Sequence, residues 1–263
     1  MKKGLVFRIL AAVLVMAVCI GCGDGGGDRM RMTVEGSGEV RFYLSGSGTA
    51  TVDWGDGSDR TTREISRAGT RFSKTYAPGR YTITITGDDI IGLEIGRYEG
   101  WVAIGGELLT SLDVSRNTAL EQLSVRNTPL TSLDVSRNTA LTNLDVSNNQ
   151  LTSLNVSGST ALRTLWVPGN QLISLDLSQN LELRELRASH NQLTSLVVSR
   201  YAIGLQTLWA ANNRLSASAL NALFESLPRV ERQFFVIERN PGENEANRSI
   251  ATAKGWVFAT GGG

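Results

Sequence analysis

Between residues 30 and 87 the chain alternates apolar and polar positions with a period of two. The alternation is clearest in the segments MTVEGSGEVRFYL, TATVDW and RYTITIT. Side chains on a β-strand point alternately to its two faces, so this period predicts strands with one buried face. Glycine-rich stretches (GSG twice, GDGSD and APG) predict turns between the strands. The pattern therefore predicts a small all-β sandwich over residues 30–88.

From residue 109 the apolar pattern changes to long repeating units. The twelve residues LTSLDVSRNTAL occupy both 109–120 and 130–141. Units of 21, 21, 21, 21 and 22 residues begin at Leu109, Leu130, Leu151, Leu172 and Leu193. An identical sequence needs an identical environment, so each unit is expected to stack on a copy of itself. The repeats predict a solenoid over residues 89–214, which includes an N-terminal cap.

Each unit contains the motif LxxLxVxxNxL or a near form of it, as in LTNLDVSNNQL (141–151). We number its positions one to eleven. The motif and its period are similar to those of the leucine-rich-repeat family, and the short units resemble internalin-like bacterial repeats. The resemblance implies stacked parallel strands that form a concave sheet, with Leu and Val pointing inward. It places an asparagine at the turn after each strand, at Asn149, Asn170, Asn191 and Asn213.

The two ends of the stack have different sequences. IIGLEIGRYEGWVAIGGEL (90–108) breaks the repeat rhythm and is expected to seal the N-terminal side. At the other end SASALNALFESLP predicts a helix stopped by Pro228, and EANRSIATAK predicts a second helix. FFVI and WVF predict strands. We expect residues 215–263 to form an α/β C-terminal cap.

The first β-region contains the segments VDWGDGSD (52–59) and FSKTYAPGRYTITITG (72–87). Together they resemble the PKD family of immunoglobulin-like domains, in which a W/F-GDG turn precedes a Tyr-containing strand. The resemblance implies a PKD-like sandwich. Asp53, Asp56 and Asp59 either form the turn or bind calcium. Their spacing lacks the alternate-position rhythm of an EF-hand loop, so we favour turn chemistry and no metal site.

The N-terminus has the pattern of a secretory signal. Lys2, Lys3 and Arg8 precede the apolar run LAAVLVMAVCI (10–20), which is too short to span a bilayer. CIGC (19–22) resembles the lipobox of bacterial lipoproteins, which implies a signal peptide over 1–21 and lipid attachment at Cys22. An uncleaved N-terminal anchor is the alternative. Residues 22–29 predict a Gly-rich tether. The expected location is the cell envelope, with the outer membrane or cell surface favoured.

The charge balance excludes two classes of partner. The chain has 26 basic and 25 acidic residues, and removal of residues 1–21 takes three basic ones, which leaves 23 − 25, or −2. Such a chain has no bulk attraction for nucleic acid or for anionic lipid. We therefore expect no nucleic-acid partner, and membrane contact only through the N-terminal lipid.

The chemistry-bearing residues do not form a recognisable catalytic motif. The sequence has one histidine, His190, and no GxSxG, HExxH or CxxC motif. Asp113, Asp134 and Asp176 recur at equivalent positions of successive units, which indicates a structural ladder rather than an active site. We expect neither catalysis nor a cofactor.

The outward positions of the concave strands carry the candidate binding residues. Position five is Trp166, Arg187 and Trp209 in three successive units. Tryptophan and arginine are enriched at binding hot spots, and a guanidinium between two indoles can also stack there simply to stiffen the sheet. The predicted partner-binding set has these three residues at its centre and Asn143, Asp145, Glu185 and His190 as a polar rim.

Two functions remain open from the sequence. In the first, a membrane-tethered cell-envelope protein, expected to be a monomer, binds a protein or a glycan with its concave face. In the alternative, the chain is a structural or adhesion envelope lipoprotein with no dedicated concave-face ligand.

Overall fold

The structure is a computed structural model that describes residues 29–99, 102–104 and 106–259. The predicted signal peptide, Cys22 and the tether as far as residue 28 lie outside the described residues. Seventeen strands and two helices are found within the described part of the chain.

The strands are β1 (Arg29–Gly46), β2 (Thr49–Asp53), β3 (Thr61–Glu64), β4 (Thr70–Gly87), β5 (Ile90–Ile95), β6 (Arg97–Glu99), β7 (Val102–Ile104), β8 (Leu109–Asp113), β9 (Gln122–Val125), β10 (Asn143–Asp145), β11 (Thr164–Trp166), β12 (Ser174–Leu177), β13 (Glu185–Arg187), β14 (Ser195–Val198), β15 (Thr207–Trp209), β16 (Gln233–Val236) and β17 (Trp256–Phe258). The helices are α1 (Ala217–Ser226) and α2 (Ser249–Thr252).

The repeats form a leucine-rich-repeat solenoid with a parallel concave sheet. Eight strands lie side by side in the order β5-β9-β10-β11-β13-β15-β16-β17, and every adjacent pair is parallel. The position-four leucines pair in register and are buried, as Leu144 and Leu165 show. On the convex side β12 pairs in parallel with β14. The stacking predicted from the identical sequences is therefore confirmed.

Two asparagine ladders hold the turns of successive coils. In the first, the position-nine amide of Asn170 donates from Nδ2 to the Val146 and Val167 carbonyls, and Oδ1 accepts from Leu151 N. In the second, Asn138 and Asn180, which are fully buried on the convex half, donate to carbonyls of the preceding coil. The sequence indicated only the first ladder.

The N-terminal strands join the solenoid directly. Strand β1 pairs antiparallel with β5 of the concave sheet and also with β8 of the convex side. It pairs with β4 along almost its whole length, and β2 and β3 extend the sheet beyond β4. The predicted boundary between residues 88 and 89 is thus crossed by hydrogen-bonded strands, and buried residues on its two sides belong to one apolar cluster.

Two of the predicted turns are instead bends within long strands. The first GSG (36–38) lies inside β1 and APG (77–79) lies inside β4. The pairing register shifts there, from Gly36↔Gly79 to Gly38↔Tyr76. Gly36 and Gly38 have φ of +121° and +140°, which residues with a Cβ rarely adopt. A bulge at this point increases the local twist, and the two halves of β1 pair with the convex strand β8 and with the concave strand β5.

The Asp-rich turn uses its carboxylates locally, as expected of turn chemistry. Asp53 Oδ1 accepts from Gly55 N, and Asp56 Oδ1 accepts from Ser58 N. Lys74 Nζ lies 2.7 Å from Asp56 Oδ2, and the Lys74 and Ser58 hydrogen bonds lower the pKa of Asp56 to about 2. Within the described residues, no group of three His, Cys, Asp or Glu side chains could hold a metal ion.

The segment predicted to break the repeat rhythm contains the first strand of the concave sheet. In β5, Leu93 pairs in register with Leu123, and Glu94 pairs with Ser124 at position five. The N-terminal edge of this sheet is therefore sealed by β1, which pairs with the other side of β5. The β6–β7 hairpin follows β5.

The C-terminal segment begins with one more coil. Phe235 pairs in register with Leu208, and Asn240 repeats the position-nine hydrogen bonds with the Ala210 and Ile237 carbonyls and with Leu215 N. Helix α1 replaces the convex strand of this coil and buries Leu220, Leu223 and Phe224. The predicted second helix is confined to the four residues of α2.

Candidate functional site

The three central residues of the predicted site lie in one row on the concave sheet. Trp166 pairs in register with Arg187, and Arg187 pairs with Trp209, on β11, β13 and β15. Positions four and six of these strands are buried by the solenoid core, so position five must face outward. The Trp209 side chain is 37% exposed and Trp166 is half-buried.

The Arg187 guanidinium stacks between the two indoles. Its Cζ lies 4.4 Å from the centroid of Trp166 and 5.3 Å from that of Trp209. Its Nε donates to Glu185 Oε1 at 2.7 Å, which fixes the plane of the guanidinium. Each cation–π contact stabilises such an arrangement by about 0.5–2 kcal/mol. The row is a rigid aromatic ridge, and its charge is balanced by Glu185.

An arginine that the sequence reasoning missed organises the neighbouring part of the sheet. Arg126, at position seven of β9's unit, donates from Nη2 to Glu94 Oε1, and its Nε lies 3.4 Å from Asp145 Oδ2. The carboxylate of Asp145 also accepts from the Ser147 backbone N–H. The later units have a small residue at position seven. The arginine at this position was therefore the feature of the sequence that could have identified Arg126.

Two cavities flank the aromatic ridge. One, of about 340 Å³, extends from the Glu94–Arg126–Asp145 network to Trp166 and Glu185, and the exposed Asn143 also lines it. We call it the N-terminal groove. The other, of about 390 Å³, adjoins Arg187 and Trp209. Both volumes fall within the range of roughly 300–1,000 Å³ typical of small-molecule pockets.

The rim residue His190 has a backbone role as well as a place at the second cavity. It has φ of +57° and lies at position eight, just before the ladder residue Asn191. Equivalent residues in the other units share this left-handed conformation: Asn127, Asn148, Gly169, Asn212 and Arg239. His190 also lines the second cavity, and Asn212 Nδ2 lies 3.4 Å from its Nε2. The structure therefore separates the rim into Asn143, Asp145 and Glu185 in the N-terminal groove and His190 on the other side of the ridge.

The concave face becomes more apolar toward its C-terminal end. Phe234 at position three of β16 is 50% exposed, and Val257 of β17 is 37% exposed beside it. Neither residue was predicted to belong to the site, because β16 and β17 were interpreted as cap strands rather than as further strands of this sheet.

The convex aspartates each stabilise a turn within their own unit, whereas the sequence indicated a ladder from unit to unit. Asp113, Asp134 and Asp176 each accept at Oδ1 from the backbone N–H two residues later. For Asp134, the hydrogen bond from the Ser136 N–H lowers the pKa. These carboxylates shape turns and are not brought together in one place.

Among the helices of the described residues, none combines the length and the apolar character that a bilayer crossing requires.

Comparison with known proteins gave only distant structural similarity. No family model and no curated protein matches the chain. It is similar to the functional domain of InlJ from Listeria monocytogenes, which includes a cysteine ladder, with 27% identity over 54% of this chain and 40% of that one and a TM-score of 0.36. It is also similar to an internalin, InlF, from the same species, with 19% identity over 57% and 43% and a TM-score of 0.47. This chain thus spans less than half of either protein.

Proposed function

We propose that this protein is a membrane-tethered cell-envelope binding protein whose concave face binds a protein or a glycan. The observation that carries the proposal is the Trp166–Arg187–Trp209 ridge, which is outward-facing and flanked by a cavity on each side. Rigid aromatic side chains and arginine are the residue types that dominate binding energy at interfaces.

The remaining architecture supports presentation of this surface. In the proposal, the PKD-like strands and the β1 edge form the N-terminal end of the solenoid, and residues 215–263 close the C-terminal end. The protein acts as a monomer without a cofactor, and its role is binding rather than catalysis. The aspartates and His190 support this interpretation, because each is used in turns or loop geometry.

We propose lipid attachment as the means of anchoring. The lipobox-like CIGC supports cleavage before Cys22, acylation of its thiol and location at the outer membrane or cell surface. We expect mass spectrometry of the membrane-extracted protein to show a mature chain that begins at a diacylated or triacylated Cys22. A Cys22→Ser chain provides the control and should remain unacylated. An unmodified Cys22, or an intact Met1, would contradict the proposal.

Trp166→Ala and Trp209→Ala are each expected to weaken partner binding about 30-fold, which corresponds to about 2 kcal/mol. The melting temperature should fall by only about 1–8 °C, because neither indole belongs to the solenoid core and each variant loses one cation–π contact. The ligand is selected with the immobilised wild-type chain from extracted cell-surface proteins and from oligosaccharides. Its affinity for each variant is then measured by titration calorimetry.

Tyr201→Ala is the matched control, since Tyr201 is an aromatic residue 71% exposed after the convex strand β14. Its neighbourhood also offers the second candidate surface, because Ile203 is 77% exposed and Leu181, at the equivalent place in the preceding coil, is 46% exposed. If the ligand still binds both tryptophan variants but does not bind Tyr201→Ala, the binding site lies on the convex side.

A further inference from the structure

The N-terminal groove has two chemically different walls. One wall carries the charges of Glu94, Arg126 and Asp145, and the other carries the indole of Trp166. Arg187 stacks on that indole but does not line this groove. The groove therefore reaches Trp166 from the side that Arg187 leaves open. An occupant meets a flat apolar surface and, beside it, a set of polar groups.

The polar wall repels anionic ligands, because its two carboxylates outnumber its one guanidinium, and it offers a cation no unpaired carboxylate. Arg126 bridges the two carboxylates, with an ion pair to Glu94 and a longer one to Asp145. A cation placed near the carboxylates meets the guanidinium between them, and an anion placed near Arg126 meets a carboxylate on each side. The alternation of donors and acceptors suits a neutral ligand whose groups both donate and accept hydrogen bonds. Hydroxyl groups have this property.

Several donors of the groove lack a hydrogen-bond partner. Ser124 Oγ, Arg126 Nε and Trp166 Nε1 are shielded from solvent, and none makes a hydrogen bond within the described part of the chain. Arg126 Nε has only its 3.4 Å approach to Asp145. Buried polar groups are normally paired, so Ser124 Oγ and Trp166 Nε1 are two donors of groove-lining residues that the fold leaves unsatisfied.

We infer that the N-terminal groove binds a pyranose unit of a neutral oligosaccharide. The apolar C–H face of the ring stacks on Trp166, and its hydroxyls exchange hydrogen bonds with Glu94, Arg126 and Asp145 and with the exposed amide of Asn143. This inference rests on the proposed function, because it names the ligand class for the part of the concave face beside the ridge. It assigns Glu94 and Arg126 to a binding site.

The test uses the full chain on an array of neutral oligosaccharides with matched sialylated, sulfated and amino-sugar members, followed by calorimetric titration of the strongest binder. The neutral oligosaccharides should bind best. Asn143→Ala and Trp166→Ala should each lower the affinity for them at least ten-fold. Arg126→Gln removes the charge between the carboxylates, so its binding should shift toward the cationic amino-sugar member. Tyr201→Ala should bind like the wild type, and each variant is first checked for a cooperative unfolding transition above the temperature of the assay.

The contrary outcomes are distinguishable. A preference for charged glycans, or neutral-glycan binding indifferent to Asn143→Ala and Trp166→Ala, overturns the sugar inference. The sugar inference is also overturned if neutral glycans fail to bind and a protein ligand binds instead in a manner that depends on Trp166 and Trp209. That result would still support the proposed function. A ligand of any kind that is indifferent to both tryptophans overturns the proposed function itself. If the Arg126→Gln variant does not fold, Asn143→Ala still tests the sugar inference, because it changes an exposed residue.

Discussion

A chain truncated after Leu215 is expected to lose its cooperative fold and to associate. The removed segment contains the buried residues Leu220, Leu223, Phe224 and Phe235, which lie against the last repeat. At about 1.5–3 kcal/mol for each buried side chain, their loss removes about 6–12 kcal/mol. That is comparable with the total stability of about 5–15 kcal/mol typical of a protein. The truncation also leaves β15 as an unpaired edge, which favours pairing between chains.

Thermal unfolding and size-exclusion chromatography of the truncated chain measure this effect. A chain that ends at Ala259 is the matched control, because it keeps β17 and every other described element. It should melt like the full protein and remain a monomer. A truncated chain that stays monomeric with an unchanged melting temperature would show that the last coil needs no cover.

Asn170→Ala is expected to lower the free energy of unfolding by about 3–4 kcal/mol. The amide of Asn170 donates to the Val146 and Val167 carbonyls and accepts from Leu151 N, all in the buried interior. Alanine leaves Leu151 N without a partner, at about 1–3 kcal/mol. It also removes one hydrogen bond from each carbonyl, at about 0.5–1.5 kcal/mol for each, although Asn149 Nδ2 still donates to Val146 and Asn191 Nδ2 to Val167. For a chain of this length the melting temperature should fall by about 6–16 °C.

Calorimetry or circular dichroism at increasing temperature provides the measurement. Gln171→Ala is the control, because its side chain is exposed at the next position and only its backbone N–H bonds to Leu151 O. Its melting temperature should remain that of the wild type. If Asn170→Ala and Gln171→Ala melted alike, the ladder would contribute no more than an ordinary surface position.

The repeat itself was readable from the sequence because its determinants are local and recur. The leucines at positions one and four, the small apolar residue at position six and the asparagine at position nine each face the same residue type in the next coil. Their burial therefore follows from the period alone. The outward direction of Trp166, Arg187 and Trp209 followed from the same alternation, and the structure places them in contact.

The interpretation of the two ends was less accurate because their partners are distant in the chain. Nothing local in IIGLEI shows that β5 continues the concave sheet on one side and pairs with β1 on the other. The register shift at Gly36 depends on β4, more than thirty residues away. Asn240 likewise joins the ladder after an interruption by helix α1, which hides the period.

The sequence by itself determined the solenoid, its core and the row of outward aromatic residues, since a 21-residue period leaves each coil only one environment. Tertiary structure alone decided how the site is divided. Arg126 reaches Glu94 on β5 and Asp145 on β10, and these contacts join residues 32 and 19 positions apart. The network closes one wall of the N-terminal groove, and the indole of Trp166 forms the other. Such contacts depend on which strands become neighbours in the fold. The groove therefore forms only when the first coil packs against the N-terminal strands.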